Sequence, residues 1–439
     1  MSVSPLSGIA RRRFLAATAV AAAGVVLAAC GTAGPGGEPA AGTAALTMWA
    51  LNDQTVLKAS VDAYNTDHPD AKIDLQLYAN DDYKQKIRVA FGAGQAPDLF
   101  FNWGGGGLRD YVKAGKVAEV PTAVDADRFT PSVLKTATFD GKLYGVPCNG
   151  LAPVVLYYNK KVLADAGLQP PKTWDDLLAA VGTLKGKGIT PISLAAGSKW
   201  PTLMWEEYLL DRVGGADLFS AVEAGDSTAW TKPAVTEANK LLRELVDAGA
   251  FGDSASSLTY DQGASTALVY TGKAAMELMG TWEYANFAKA APDFVKSDLG
   301  YTTFPTVPGG AGEEKAIVGN PSNFLSVNAA SSTEKQAAAA EYLSKYVLNT
   351  DQVAKFLDSG TVPPVMDLER TLQDSTSPDK DWMWFVYDLV NEAPTFQLSW
   401  DQALPSTSAD PLLTNIDKVF LGQLEPERFG QEMSKVAGS

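Results

Sequence analysis

Histidine and cysteine are almost missing from this chain. His68 is the only histidine in 439 residues and sits in a loop-like Asp67-His68-Pro69-Asp70, which argues against imidazole metal sites and Ser-His-Asp catalysis. The only cysteines are Cys30 and Cys148. Once Cys30 is assigned to the N-terminal signal read below, no internal disulfide is possible, and stability must come from a packed core. No G-x-x-x-x-G-K-[ST], G-x-S-x-G or H-E-x-x-H occurs, so the common phosphate-binding, serine-nucleophile and zinc motifs are lacking. No basic cluster offsets the net charge of −15, which makes the chain a poor partner for nucleic acid and for anionic ligands. Heptads, repeats of solenoid period and a second transmembrane segment are missing too. Neither a cofactor nor a metal is implied.

What is present begins with a targeting segment. Arg11-Arg12-Arg13-Phe14-Leu15 precedes an Ala-rich apolar run ending at Leu27-Ala28-Ala29-Cys30. That run is too short to span a bilayer and reads as a signal-peptide core. Arg11, Arg12, Phe14 and Leu15 fit a twin-arginine export signal of the RRxFL type. Ala10 stands where such signals usually carry Ser or Thr, which keeps the general secretory route open. Leu27-Ala28-Ala29-Cys30 resembles a bacterial lipobox, whose cysteine becomes the lipidated first residue. Residues 31–43 are Gly, Ala, Pro and Thr with a single charge, Glu38, the composition of a flexible tether. The expectation is an export signal over 1–29, a lipidated tether over 30–43, and a protein held on the outer face of the cell membrane by its acyl chains.

About 400 residues remain, too many for one small core, and they suggest two lobes. Strand and helix signals alternate at first: Ala45–Ala50, then Val56, Leu57, Val61 and Tyr64 at helical spacing, then Ile73, Leu75 and Leu77 alternating with polar residues. Tyr83, Ile87 and Ala90 mark a second helix, Asp98–Phe101 a third strand. This βαβαβα order predicts an α/β fold with a parallel sheet, whose ligands bind beyond the carboxyl ends of the strands. Asn102-Trp103 and the glycines Gly104–Gly107 fall there. Further on, Thr173-Trp174-Asp175-Asp176 predicts a capping box ahead of a helix whose apolar face includes Trp174.

Several blocks together resemble the sugar-binding group of ABC-importer extracellular solute-binding proteins, the family 1 lipoproteins. They are Ala96-Pro97-Asp98-Leu99-Phe100; Tyr144-Gly145-Val146-Pro147 leading to Leu156-Tyr157-Tyr158-Asn159-Lys160; Ala166-Gly167-Leu168 with Pro170 to Leu177; Ala275-Met276 through Gly280-Thr281-Trp282; and Phe396 to Gln402. The second and third of these are the most specific. Asn102-Trp103 with its glycines and Asp401-Gln402 look most like actinobacterial xylobiose or other plant-oligosaccharide binders. The resemblance implies a two-lobed periplasmic-binding-protein fold of type II, each lobe a mainly parallel sheet flanked by helices, joined by hinge crossovers. Residues 44–150 plus about 300–330 would form the N-terminal lobe, and 151–299 plus about 331–439 the C-terminal lobe. Tyr144–Tyr158 would be the first crossover and Ile317–Val327 a return. It also implies a monomer that delivers a small neutral oligosaccharide to ABC permease subunits, without chemistry of its own.

A neutral sugar offers C–H faces that stack on aromatic rings and hydroxyls that both donate and accept. The useful pattern is therefore Trp or Tyr beside Asn, Asp, Gln or Glu at strand ends. Ten tryptophans are available. Trp49 with Asn52 and Asp53 follows the first strand and reads equally as a core ring beside a helix cap. Asn102 and Trp103 follow the third strand. Arg109 stands where a G-x-G-x-x-G fingerprint needs its last glycine, so the glycines read as bare backbone allowing a sugar ring close to Trp103. Trp282 and Glu283 match the family position of an aromatic platform from the second lobe. Trp205 is placed on a helix, where core packing competes. Asn149 and Asn320 (with Asn323) lie at the crossovers, where plain turn chemistry competes. Trp384 and Asp401 complete the set.

Two other classes compete. A secreted glycoside hydrolase needs two carboxylates about 5–10 Å apart, but 51 acidic residues make chance pairs inevitable. Neighbours such as Glu206-Glu207 and Asp175-Asp176 point different ways on a helix. A polyamine binder of the same fold would show an aromatic cage with several carboxylates converging on one point. Aromatic platforms flanked by mixed Asn, Gln and Asp would favour sugar.

Overall fold

The computed structural model describes residues 44–437, so the export signal, Cys30 and the tether lie outside the described residues. Two mixed sheets organise the chain. The first has the order β2-β1-β3-β12-β6 and comprises β1 (Leu46–Leu51), β2 (Ile73–Tyr78), β3 (Leu99–Asn102), β6 (Val146–Pro147) and β12 (Phe324–Val327). Strands β1, β2 and β3 run parallel as the alternating pattern predicts, and β12 runs antiparallel to both β3 and β6. Thr138–Phe139 and Lys142–Leu143 form a small hairpin, β4-β5. The second sheet has the order β13-β11-β7-β9-β8 with β10 also on β7. Its strands are β7 (Ala152–Asn159), β8 (Thr190–Ser193), β9 (Ala274–Gly280), β10 (Leu299–Thr302), β11 (Ile317–Asn320) and β13 (Phe396–Leu398).

The periodicity of β1 shows why it forms where it does. Leu46, Met48 and Ala50 are buried while Thr47 and Trp49 between them are half-buried. Helix α1 (Thr55–Asp67) buries Val56, Leu57, Val61 and Tyr64 on one face, and α2 (Asn80–Ala93) buries Tyr83, Ile87, Ala90 and Phe91. The predicted capping box is present: the Asp176 N–H donates to Thr173 Oγ1 (3.1 Å) and the Thr173 N–H to Asp176 Oδ2 (3.0 Å).

Two expectations need correction. The sheets are mixed rather than mainly parallel, because β7 and β12, the strands that follow the first two crossings, run antiparallel to their neighbours. The second concerns residues 300–330: β10 and β11 pair with β7 in the second sheet, and only β12 returns to the first. The helix Thr333–Lys345 then packs on the first sheet rather than the second, with Tyr342 OH 2.5 Å from Ser60 Oγ of α1. A short apolar strand reads the same whichever sheet it joins, so periodicity cannot assign its partner.

Three segments cross between the halves: 148–151, 321–323 and a third after the helix Thr350–Asp358. They are hydrogen-bonded side by side. The Cys148 N–H donates to Asn323 O (2.9 Å), the Leu151 N–H to Val362 O (2.7 Å), and Ser322 Oγ to Asn149 O (2.8 Å). Cys148 itself is buried in the core. Among the described residues no helix is long and apolar enough to cross a membrane.

Candidate functional site

The carboxyl ends of both sets of parallel strands face a cavity of about 610 Å³ between the halves. From the first half come Asp53 and Gln54 after β1, Asn80 and Lys84 on α2, and Trp103 after β3. The crossovers supply Asn149, Asn320 and Asn323. From the second half come Trp200, Tyr260 and Trp282, with Ser399, Asp401 and Gln402 after β13.

The aromatic wall is built by close packing. The Trp200 and Tyr260 rings meet edge to face at 4.8 Å, and Trp200 lies 6.3 Å from Trp282. Gly280 makes the Trp282 pose possible, since a Cβ there would stand 2.1 Å from the indole. Opposite, Trp103 is wedged against Tyr83 and Phe101, with Lys84 Nζ 5.1 Å from its ring centre. Lys84 also reaches Asp401 across the cleft at 3.4 Å. Further out, Asp261 accepts from the N–H groups of Asn80 (3.3 Å) and Asp81 (3.2 Å), Ser198 Oγ donates to Asp81 (2.8 Å), and Arg88 pairs with Asp410 (2.7 Å). These contacts close the two halves over the cavity.

Of the residues expected from sequence, Asp53, Trp103, Asn149, Trp282, Asn320 and Asp401 line this cavity. Asn52 lines an adjoining outer space that it shares with Asp53. Loss of solvation around Asp53 raises its carboxyl above the usual range, and the hydrogen bond from Gln54 Nε2 (2.8 Å) opposes that rise.

The remaining expectations are corrected. Trp205 is fully buried between Phe251 and Phe304, both 5.6 Å away. Trp49 packs edge-on to Tyr78 (5.3 Å), and Trp384 edge-on to Tyr387 (5.4 Å); neither lines the central cavity. Asn102 borders a neighbouring space beyond Trp103, but its amide is occupied internally. Its Nδ2 donates to Ser326 Oγ (2.8 Å) and its Oδ1 accepts from the Gly104 N–H (3.0 Å). Glu283 is buried beneath the aromatic wall, accepting from Tyr260 OH (2.7 Å), Thr266 Oγ1 and Asn286 Nδ2 (3.0 Å). It holds Tyr260 rather than facing the cavity.

Two of the four glycines have a different use. At the start of α3 (Gly105–Lys113), a Cβ on Gly105 would lie 2.4 Å from Gln402 O, and one on Gly106 2.3 Å from the Leu404 carbonyl carbon. Bare backbone here lets α3 pack directly on the turn after β13. At these two positions the close approach is to protein, while Gly104 and Gly107 border the space beside Trp103.

Residues 49–354 match the family described as bacterial extracellular solute-binding proteins. The chain belongs to this family. A structure from work on xylan utilisation by Caldanaerobius polysaccharolyticus superposes with a TM-score of 0.79 at 29% identity, covering 89% of this chain and 99% of that one. A chitin oligosaccharide binding protein superposes with a TM-score of 0.80 at 26% identity, covering 90% and 98%. An uncharacterised ABC transporter extracellular-binding protein of Pyrococcus horikoshii is 30% identical over 224 residues. That match takes in 50% of this chain and 52% of the relative, so the chain spans about half the length of that curated relative. The chitin-oligosaccharide and Pyrococcus relatives are binding proteins by name, and both superposed structures share this fold.

Sequence reasoning missed Trp200, Tyr260, Gln54, Asn80, Lys84, Ser399 and Gln402 in this solute-binding protein. Trp200 and Tyr260 each meet only half of the rule used for the others, Trp200 coming after a strand without an amide or acidic neighbour and Tyr260 having such a neighbour without a strand before it. Trp200 follows β8, and Tyr260 precedes Asp261-Gln262. Lys84 carries no such signal, because it reaches the cleft from within a helix.

Behind the wall, Glu206 and Glu207 are fully buried on the helix Trp200–Gly214, and burial pushes both carboxyls up to about 8. Glu206 accepts from Asn239 Nδ2 (2.6 Å). Glu207 accepts from the Trp400 N–H (3.1 Å) and Ser399 Oγ (3.0 Å), fixing the turn that carries Asp401. The folded solute-binding protein therefore keeps protons that the unfolded chain releases near 4.5. Between those values the native state binds more protons, so stability falls as pH rises, by up to about 1.4 kcal/mol per pH unit for each group. Thermal melts should give a higher Tm at pH 5.5 than at pH 8, and Glu206→Gln should flatten the slope. A Tm that climbs across this window contradicts the assignment of neutral buried acids.

Proposed function

We propose that this chain is the extracellular sugar-capturing component of an ABC importer. In this reading it holds a neutral oligosaccharide, xylobiose or a similar plant-derived disaccharide, between its halves and presents the closed form to permease subunits. The carrying observation is the composition of the central cavity: Trp103, Trp200, Tyr260 and Trp282 interleaved with Asn80, Asn149, Asn320, Asn323, Gln54 and Gln402. Rings of this kind stack on C–H faces, and amides both donate to and accept from hydroxyls. Among the described residues, Lys84 is the one cation lining that cavity and is paired with Asp401, so none of them offers a free positive charge there for an acidic sugar. The family and the xylan- and chitin-related structural neighbours support the same reading. Lipidation at Cys30 after twin-arginine export would hold the protein at the outer membrane face where its substrate arrives, as a monomer whose halves close by hinge bending.

Titrating the purified protein's tryptophan fluorescence with xylobiose, xylotriose, cellobiose, maltose, raffinose, chitobiose and spermidine tests this. A saturable response to a neutral sugar is expected. A response to spermidine alone would move the ligand class to cations, and time-dependent cleavage of a sugar would make the protein a hydrolase.

A further inference from the structure

Three polar atoms around the central cavity have no partner in the protein, and a backbone contact sets the direction of one of them through Asn149. Asn149 Oδ1 accepts from the Gly150 N–H at 2.9 Å, so its Nδ2 must face Asn323, donating to Oδ1 at 3.0 Å. That contact orients Asn323 in turn and leaves its Nδ2 buried with no acceptor. Asn320 Oδ1 is buried with no donor, and Trp200 Nε1 with no acceptor. Asn320 and Asn323 are only 9% and 6% exposed, and all three residues line the same cavity. Buried groups left without a hydrogen bond are uncommon and destabilising, and here three of them surround one space.

We propose that Asn320, Asn323 and Trp200 form a mixed donor–acceptor determinant that selects a hydroxyl-bearing ligand and engages it at the hinge itself. This rests on the sugar-binding reading and narrows it. A hydroxyl donates one hydrogen bond and accepts two, so two hydroxyls of one ring can supply all three missing partners. A polyammonium only donates; it can serve Asn320 Oδ1 and leaves the N–H groups of Asn323 and Trp200 unfilled. A purely apolar ring serves none of them. Asn149, Asn320 and Asn323 sit on or beside two of the crossing segments, so the contacts that recognise the ligand touch the segments that bend when the halves move. A polyol gives these groups their partners only when the halves are together, which gives it the differential affinity that closure requires.

The test uses calorimetry and thermal melts on the full-length protein with xylobiose, chitobiose, raffinose and spermidine as probes. Asn323→Asp keeps the oxygen that accepts from Asn149 and replaces the orphaned donor by an acceptor. It should weaken the sugar that wild type binds by at least 10-fold and abolish its ligand-induced rise in Tm, with the unliganded Tm near wild type. Trp200→Phe keeps a ring and removes the N–H, and carries the test if the first variant fails to fold; it too should lose affinity. Wild-type sugar binding with unchanged affinity in a folded Asn323→Asp and in Trp200→Phe overturns the determinant and leaves the sugar reading standing. Wild type that binds spermidine and none of the sugars overturns both.

Discussion

Trp282→Ala is expected to weaken binding of the cognate sugar by about 30- to 300-fold, the equivalent of about 2–3.5 kcal/mol for losing a well-packed aromatic anchor. The ring borders the central cavity and the space of similar size beside it, so a ligand seated in either meets it. Gly280 beneath and Trp200 at 6.3 Å hold it in one pose, which means that little ordering remains to be done when a sugar stacks on it. Because the indole is only half-buried in the unliganded protein, its removal should move the unliganded Tm little. Calorimetry on the variant, paired with a thermal melt, separates the two quantities. An unchanged Kd would show that the ligand does not stack here.

Trp205→Ala should do the opposite. Its ring is fully buried against Phe251 and Phe304, and Phe304 in turn stacks on Tyr208 at 4.5 Å. Truncation removes an indole from the middle of this aromatic layer and leaves a void that fixed neighbours cannot fill. A destabilisation of about 3–5 kcal/mol is expected, measurable by chemical denaturation, with sugar affinity kept wherever the variant remains folded. A stable Trp205→Ala that loses its ligand would instead place this ring at the site.

The contrast between these two tryptophans shows what the amino-acid order makes legible. Both lie near the start of a long segment of the second half, and both have a polar residue close by in sequence. Only its place as the first helical residue after Gly280, at the end of β9, distinguishes Trp282, and periodicity locates the end of a short apolar strand to within a few residues at best. Strand β1 and the helices α1 and α2 were legible because each buries its own alternating or helical set of residues locally, and β3 because it is a short, wholly buried run before the glycines. Thr173 and Asp176 were legible for the same reason, their hydrogen bonds spanning three residues. The pairing of β10 and β11 with β7 depends on chain more than a hundred residues away, and nothing local encodes it. The glycines Gly104–Gly107 were recognisable as a place of close approach. What approaches Gly105 and Gly106, the turn Gln402–Leu404, comes from the far end of the chain. The carboxylate Glu283 shows a third kind of gap: its position beside Trp282 was legible, but its inward direction depended on Thr266, Tyr260 and Asn286.

Cys148 lies in the first crossing segment, 2% exposed, and burial raises its thiol far above the usual range. Thiolate is the species that alkylating dyes attack, so this side chain is silent to them in the folded protein. With Cys30 replaced, any cysteine engineered at the cleft rim would be the sole reactive handle, and a dye placed there would report closing of the halves as an optical signal. The protein carries the layout of a reagentless sensor for whatever it captures.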